Sequence, residues 1–220
     1  MSVKLKLFFL IGLTFLLPSC RWFVRPESET VFAEQVLGSY SYEDSSSAYT
    51  GRFLIIADKE CLSLDLFGPM HILVSSIRYN PESTLVYLPL DNTVLIMGEE
   101  AFLPFEDWHL PLTPLVAGYR GEVLVNPDSS YESGDTLVQK KGGIEYVFNS
   151  LKLTQLRSGD WELSSEGELI GSELKPERLR FTRKDMELVM YLTSLEIVEL
   201  ESDRAFNLKF PACVNILDFR

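Results

Sequence analysis

The chain reads as mainly β, of the α+β kind, with one large curved antiparallel sheet whose concave face is covered by short helices. Three observations predict this. From Tyr49 onward, apolar and polar residues alternate with a period of two in a series of short runs closed by Gly, Pro, Asn or Asp. The gaps between runs are too short for crossover helices, so consecutive runs pair as antiparallel hairpins. One segment, Glu99 to Gly121, breaks the series with Pro104, Pro111 and Pro114 and with Phe102, Phe105 and Trp108. About a dozen short strands around a helical insert favour one curved sheet, although a two-sheet sandwich satisfies the same strand count.

Taken in order, Val31–Leu37 fits a short amphipathic helix, with Val31, Phe32, Val36 and Leu37 along one side and Gly38 ending it. Strands follow at Tyr49–Ile56, Leu62–Leu66, His71–Tyr79, Thr84–Leu90 and Thr93–Met97. Their turns are Ala57–Glu60, Gly68-Pro69, Asn80–Ser83 and Asp91-Asn92. Prolines in the middle segment argue against both a ladder and one long helix, so two short helices are expected near Glu99–Leu103 and Pro114–Tyr119. After Asn126-Pro127-Asp128 the expected strands are Ile144–Phe148, Leu151–Leu156, Trp161–Leu163, Glu177–Thr182, Met186–Leu192, Leu195–Leu200 and Phe206–Phe210. Lys140-Lys141-Gly142-Gly143 reads as a solvated hairpin turn.

The first residues have a different character. Lys4 and Lys6 precede an almost wholly apolar run from Leu5 to Leu17, too short for a comfortable membrane span of about 20 residues. Leu17-Pro18-Ser19-Cys20 closes it and resembles the lipobox of bacterial lipoproteins. The resemblance implies a signal peptide over 1–19, cleavage before Cys20, and acyl chains on that cysteine. An ordinary secretory signal or a short uncleaved anchor is the alternative. Residues 20–30 then form a tether, and 31–220 a single domain. Several acyl chains at ~0.8 kcal/mol per buried CH2 hold a protein on a membrane where one chain does not.

The net charge of −12 becomes −14 without Lys4 and Lys6. Such a chain is repelled by anionic phosphates, which speaks against nucleic-acid binding. It also disfavours broad adhesion to acidic membranes, so membrane contact beyond the anchor must be apolar and local. With Cys20 modified, Cys61 and Cys213 remain; two separately buried thiols are expected, with a disulfide as the alternative in an oxidising compartment. His71 and His109 lack metal-ligand spacing with each other or with Cys61. There is no nucleophile elbow, phosphate loop or dinucleotide fingerprint. Glu99-Glu100 fits a helix start better than an acid–base pair. No cofactor and no enzyme activity are expected.

Several stretches carry a family resemblance: Gly51-Arg52-Phe53, Leu62 through Met70, Leu110-Pro111-Leu112-Thr113-Pro114-Leu115, and Gly118-Tyr119-Arg120-Gly121. In order and spacing, over Tyr49 to Gly121, they resemble the LolB-like outer-membrane lipoproteins of the LolA/LolB fold. The resemblance implies an incomplete β-barrel under a helical lid, holding the acyl chains of another lipoprotein. It implies a monomeric receptor on the periplasmic face of the outer membrane, which takes acylated lipoproteins from a soluble LolA-like carrier. The turn Gly68-Pro69-Met70 matches the family's membrane-insertion loop, with Met70 where leucine is usual and His71 where glycine is usual. Arg21, in place of aspartate after the lipidated cysteine, is similar to the outer-membrane sorting pattern.

A cavity for acyl chains needs many apolar side chains with few hydrogen-bonding demands. Leu62, Leu64, Leu66, Ile77, Tyr79, Val86, Leu88, Val94 and Ile96 are expected to supply one wall. Phe102, Phe105, Trp108, Leu112, Leu115 and Val116 are expected to supply the lid. The plain alternative is that these residues form a dry core. Two other roles share the fold: a carrier-type lipoprotein for another envelope lipid, and a structural lipoprotein of an outer-membrane assembly.

Overall fold

The computed structural model describes residues 30–220 except 81, 99–100, 106–107, 151, 171–174, 202–205 and 209. The signal and tether assignments, with Cys20, therefore lie outside the described residues. The chain enters at the middle of the sheet with β1 (Thr30–Glu43) and meanders outward. It runs through β2 (Ala48–Ala57), β3 (Leu62–Phe67), a 3-10 turn (Pro69–His71), β4 (Leu73–Tyr79), β5 (Thr84–Leu88) and β6 (Thr93–Met97). A separate hairpin of β7 (Phe102–Phe105) and β8 (Trp108–Pro111) leads into helix α1 (Leu112–Arg120). The chain then restarts at the opposite edge with β9 (Ser129–Ser133) and β10 (Thr136–Lys141). It returns through β11 (Ile144–Asn149), β12 (Lys152–Ser158), β13 (Trp161–Ile170) and β14 (Lys175–Arg183) to β15 (Met186–Glu201), beside β1. Strand β16 (Asn215–Phe219) closes the first edge, parallel to β6.

Among the described residues fourteen strands form one sheet, and its edge strands β16 and β9 do not pair with each other. The sheet is large and curved without closing into a barrel, as the period-two pattern leads one to expect. Glycines sit at its strongly bent centre. A Cβ on Gly38 would lie 2.3 Å from the ring of Phe53, its partner on β2, and one on Gly51 would lie 2.6 Å from the ring of Tyr40, its partner on β1. Each aromatic ring covers a cross-strand glycine, filling the space that a side chain would need.

Several expectations are corrected. Val31–Leu37 is strand, paired residue by residue with β15 from Thr30↔Glu201 onward, and Gly38 marks a register shift in place of a helix end. The spacing of Val31, Phe32, Val36 and Leu37 suits a helix as well as a strand, and the long β15 partner, which carries the extra residue Thr193 at the shift, decides between them. The first of the two middle helices is absent over Phe102–Phe105, which is strand β7; Glu99 and Glu100 lie outside the described residues. Pro104 and Pro111 are accommodated in that ladder, opposite His109 and Phe102. A two-stranded ribbon consists of two edges, so a proline can turn its missing N–H outward. The second helix is present and starts two residues earlier than expected.

In the second half, β9 and β10 form a hairpin that the period reading does not separate from loop. Met186–Leu192 and Leu195–Leu200 are one continuous strand, and Phe206, Asn207, Leu208 and Phe210 are not strand. Cys61 and Cys213 are free; Cys61 is half-buried and Cys213 exposed, so neither is the buried thiol expected. Burial, then the nearby Asp58 and Glu60 carboxylates, pushes the Cys61 thiol up from its ordinary value.

Candidate functional site

The inner face of the sheet is a continuous apolar surface. Leu62, Leu64 and Leu66 of β3, Ile77 of β4 and Val86 of β5 lie on it, in one cluster with Val36, Phe53, Phe148 and Phe181. Alternation along each strand puts every second residue there. Helix α1 lies on this face against β12, β13 and β14 and buries Leu112, Leu115, Val116 and Tyr119. Gly118 lets it approach closely, since a Cβ there would sit 2.4 Å from Leu163 Cδ1. The Tyr119 hydroxyl donates to Glu34 Oε2 at 2.6 Å, tying the helix to β1. Tyr79, Leu88 and Phe102 pack partly buried around the cluster.

Not every expected wall residue faces inward. On β6 the inner residues are Leu95 and Met97, which pair with Val86 and Thr84 of β5. Val94 and Ile96 therefore point to the outer face. Val94 is nonetheless 1% exposed; it pairs with Tyr87, whose ring meets that of Phe210 at 6.4 Å. The run Val94-Leu95-Ile96-Met97 is apolar throughout, so alternation alone cannot choose its inward side. The side chains of Phe105 and Trp108 lie outside the described part of the molecule, although their strands are placed.

Between α1 and the two wings of the sheet lies a cleft of about 960 Å³, within the ~300–1,000 Å³ typical of ligand sites. Its apolar lining comes from Tyr79, Ala101 and Phe102 on one side, Pro114, Val116 and Ala117 of α1, and Leu124, Ile144, Tyr146 and Trp161 on the other. Asn80, Ser83, Arg120, Glu122 and Lys141 supply polar groups. Burial raises the pKa of the Tyr146 hydroxyl, and the neighbouring Tyr79 adds to the shift, so that hydroxyl stays neutral. Of the residues expected from sequence, Tyr79, Phe102 and Val116 line this cleft. Ile144, Tyr146 and Trp161 were missed. Their signal was present, in the alternation Ile144-Tyr146-Phe148 and in a strand-initial tryptophan, but it lay in the half of the chain with no motif to draw attention.

The Gly68-Pro69-Met70 turn lies at the end of β3. Gly68 N–H donates to the Ile72 carbonyl at 2.9 Å and Ile72 N–H to the Pro69 carbonyl at 3.3 Å, which pinch the loop shut. Met70 and His71 both take left-handed backbone conformations, at φ 56° and 58°, a cost of roughly 1–2 kcal/mol per residue. Met70 is 86% exposed and Ile72 49%. The turn spends backbone strain to hold an apolar side chain in water.

With this geometry in hand, the chain was compared with known proteins. No family model matches it, and no curated protein does. Among solved structures, it superposes on a putative outer membrane lipoprotein-sorting protein domain from Vibrio parahaemolyticus with a TM-score of 0.56 and 10% identity, covering 80% of this chain and 89% of that one. A LolA superfamily protein from Nitrosomonas europaea gives a TM-score of 0.54 at 11% identity over 80% and 90% of the two chains. A DUF1329 family protein from Desulfovibrio piger gives 0.54 at 11% over 80% and 89%. The fold is LolA-like. At such identities the likeness extends to the backbone plan, a curved open sheet with a helix on its inner face. The cleft described above lies between that helix and the sheet.

Proposed function

We propose that this chain is a lipid-anchored receptor on the periplasmic face of the outer membrane that binds the acyl chains of lipoproteins and helps to insert them. The observation that carries the reading is the cleft of about 960 Å³ between α1 and the sheet wings, lined mainly by apolar and aromatic side chains. Transfer between proteins and membrane needs no covalent step, only a lower free energy for the chains at each successive site. Each buried CH2 supplies ~0.8 kcal/mol.

In this reading Cys20 carries the anchor, and Met70 at the tip of the Gly68-Pro69 turn enters the acyl layer. Met is flexible and polarizable, which suits a surface of varying shape. A soluble LolA-like carrier is the proposed donor, and the receptor acts as a monomer. No helix among the described residues is long and apolar enough to cross a membrane. A second reading, a scaffold lipoprotein, is favoured by the closed packing of the core, where Leu64, Ile77, Leu115 and Phe148 are at most 2% exposed.

The test uses the exported chain carrying Cys20→Ala, mixed with a lipoprotein in acylated and unacylated forms. Complex formation with the acylated form alone is expected. Binding of neither form turns the assignment to another lipid, and a cleft that also rejects lipids leaves the scaffold. In the lipidated protein, Met70→Glu is expected to abolish insertion into vesicles while complex formation persists; normal insertion by this variant would remove the turn from the mechanism.

A further inference from the structure

Arg120, the last residue of α1, lines the cleft and stands apart from the other described arginines that bury guanidinium nitrogens. Its Nε and Nη2 are buried and have no hydrogen-bond partner. Arg78 and Arg178 also bury an Nε with no hydrogen bond, yet their Nη1 atoms reach Asp65 at 2.8 Å and Glu166 at 3.2 Å, and the buried Nε of Arg180 lies 3.3 Å from Glu187. Among the described residues Arg120 has no such partner. Glu122 and Lys141, the other charged groups of the cleft wall, are both exposed. Buried guanidinium nitrogens with unmade hydrogen bonds are costly, and the cost is relieved by oxygen acceptors brought in by a ligand.

The geometry points to Arg120 as the headgroup anchor of the cleft, receiving the oxyanion of an amphiphile whose acyl chain lies along Phe102, Val116, Ile144 and Trp161. The planar fork of the guanidinium presents parallel N–H groups to a carboxylate or a phosphate, which share this chemistry. A cationic headgroup meets no buried carboxylate in the described cleft lining, so the site selects by charge as well as by chain. This inference rests on the acyl-binding reading of the same cleft, and it narrows that reading to ligands with an anionic head.

The experiment titrates the exported Cys20→Ala protein with dodecyl phosphate, dodecanoate, dodecyl maltoside and dodecyltrimethylammonium below their micelle concentrations. Calorimetry gives the affinities, and the fluorescence of Trp161 in the cleft wall follows occupancy. Both anionic probes are expected to bind about ten-fold more tightly than the neutral one, the equivalent of one charge-assisted hydrogen bond. The cationic probe is expected to bind most weakly. The ratio of dodecyl phosphate to dodecanoate tells which oxyanion the site prefers. Arg120→Gln should bring the anionic probes down to the neutral one without altering the neutral affinity, and Arg120→Lys should retain part of the preference. Unchanged neutral binding shows that the cleft of the Gln variant is still folded. Equal binding of all four probes by the starting protein, or a preference that survives Arg120→Gln, overturns the role of Arg120 while leaving an acyl cleft. If no probe binds, the acyl-cleft reading falls, and Arg120 as its anchor falls with it.

Discussion

The two wings of the sheet, β2–β6 on one side of β1 and β9–β14 on the other, share an inner face and differ on the outer one. Inside, Phe53, Leu64 and Ile77 of the first wing match Phe148, Leu163 and Phe181 of the second, all at most 2% exposed. Outside, the second wing carries a ladder of ion pairs. Lys140 and Arg157 both reach Glu145, Arg157 also reaches Glu162, and Arg180 bridges Glu166 and Glu187. Among the described residues of β9–β14 the one exposed large hydrophobic is Tyr131, on the edge strand β9, whereas the first wing and its turns expose Tyr49, Met70, Ile72 and Leu90. Its ion pair Arg78–Asp65 is sunk to 14% and 19% exposure and braced by Ser76. Inner faces answer to folding, and outer faces answer to surroundings. The second wing carries the ion-paired outer face, and the first carries the exposed apolar turn that the proposed function uses at Met70.

The comparison is sharpest where the wings are predicted to be alike. Phe53→Ala and Phe148→Ala should each cost about 3–5 kcal/mol, the usual loss for a fully buried phenylalanine. Urea unfolding of the two variants measures it, and a much smaller loss in one wing would show that its inner face is not part of a common core.

Next come the ion pairs, where the wings should diverge. Asp65→Ala leaves Arg78 half-sunk without its carboxylate and should cost about 2 kcal/mol. Arg180→Gln, on the solvated ladder, should cost under ~1 kcal/mol. Raising the salt to about 1 M, where the screening length is ~3 Å, should shrink the second loss further and leave most of the first. Equal losses from both would break the contrast between outer faces.

The smallest effect is expected in acid, at the turn between β1 and β2. Hydrogen bonds from the Tyr42 hydroxyl, then from the Ser46 backbone and side chain, hold the Asp44 carboxyl down at about 2. A depressed carboxylate contributes stability that is fully present above the ordinary value of ~3.9 and is lost as pH falls through the folded value. Thermal unfolding should therefore shift downward between pH 4 and about 2, and Asp44→Asn should show a smaller shift over that window. Glu145, lowered by Lys140, and Asp160, lowered by Arg183, add to the acid sensitivity of the second wing.

How much of this was legible in the sequence differs by wing. Strands β2, β3, β5 and β6 are short runs bounded by turn residues and close in local hairpins, so their boundaries lie within two residues of the sequence reading. Helix α1 was marked by Pro114 and by the glycine after Arg120. By contrast, β1 resembled a helix because the polar Glu34 takes an inner-face position two residues before Val36, where it accepts from Tyr119, and its pairing with β15 spans most of the chain. Strand β16 was invisible because its partner β6 lies more than a hundred residues earlier in the sequence.

The candidate site divides in the same way. Leu62, Leu64 and Leu66 were identifiable as inner-face residues, and Met70 as a turn tip. That those leucines are buried in closed packing, while the open space falls between Phe102 and Trp161, depends on how two distant wings curve toward each other. Sequence by itself determined the β class, the antiparallel order of the first wing, the helix after Pro111 and the apolar inner face, because each is written in local periodicity and turn chemistry. Only the tertiary structure decided which face of β6 is inner, where the cleft opens, and that Arg120 stands in it without a partner. Those depend on contacts between residues far apart in the chain, and no local pattern encodes a long-range contact.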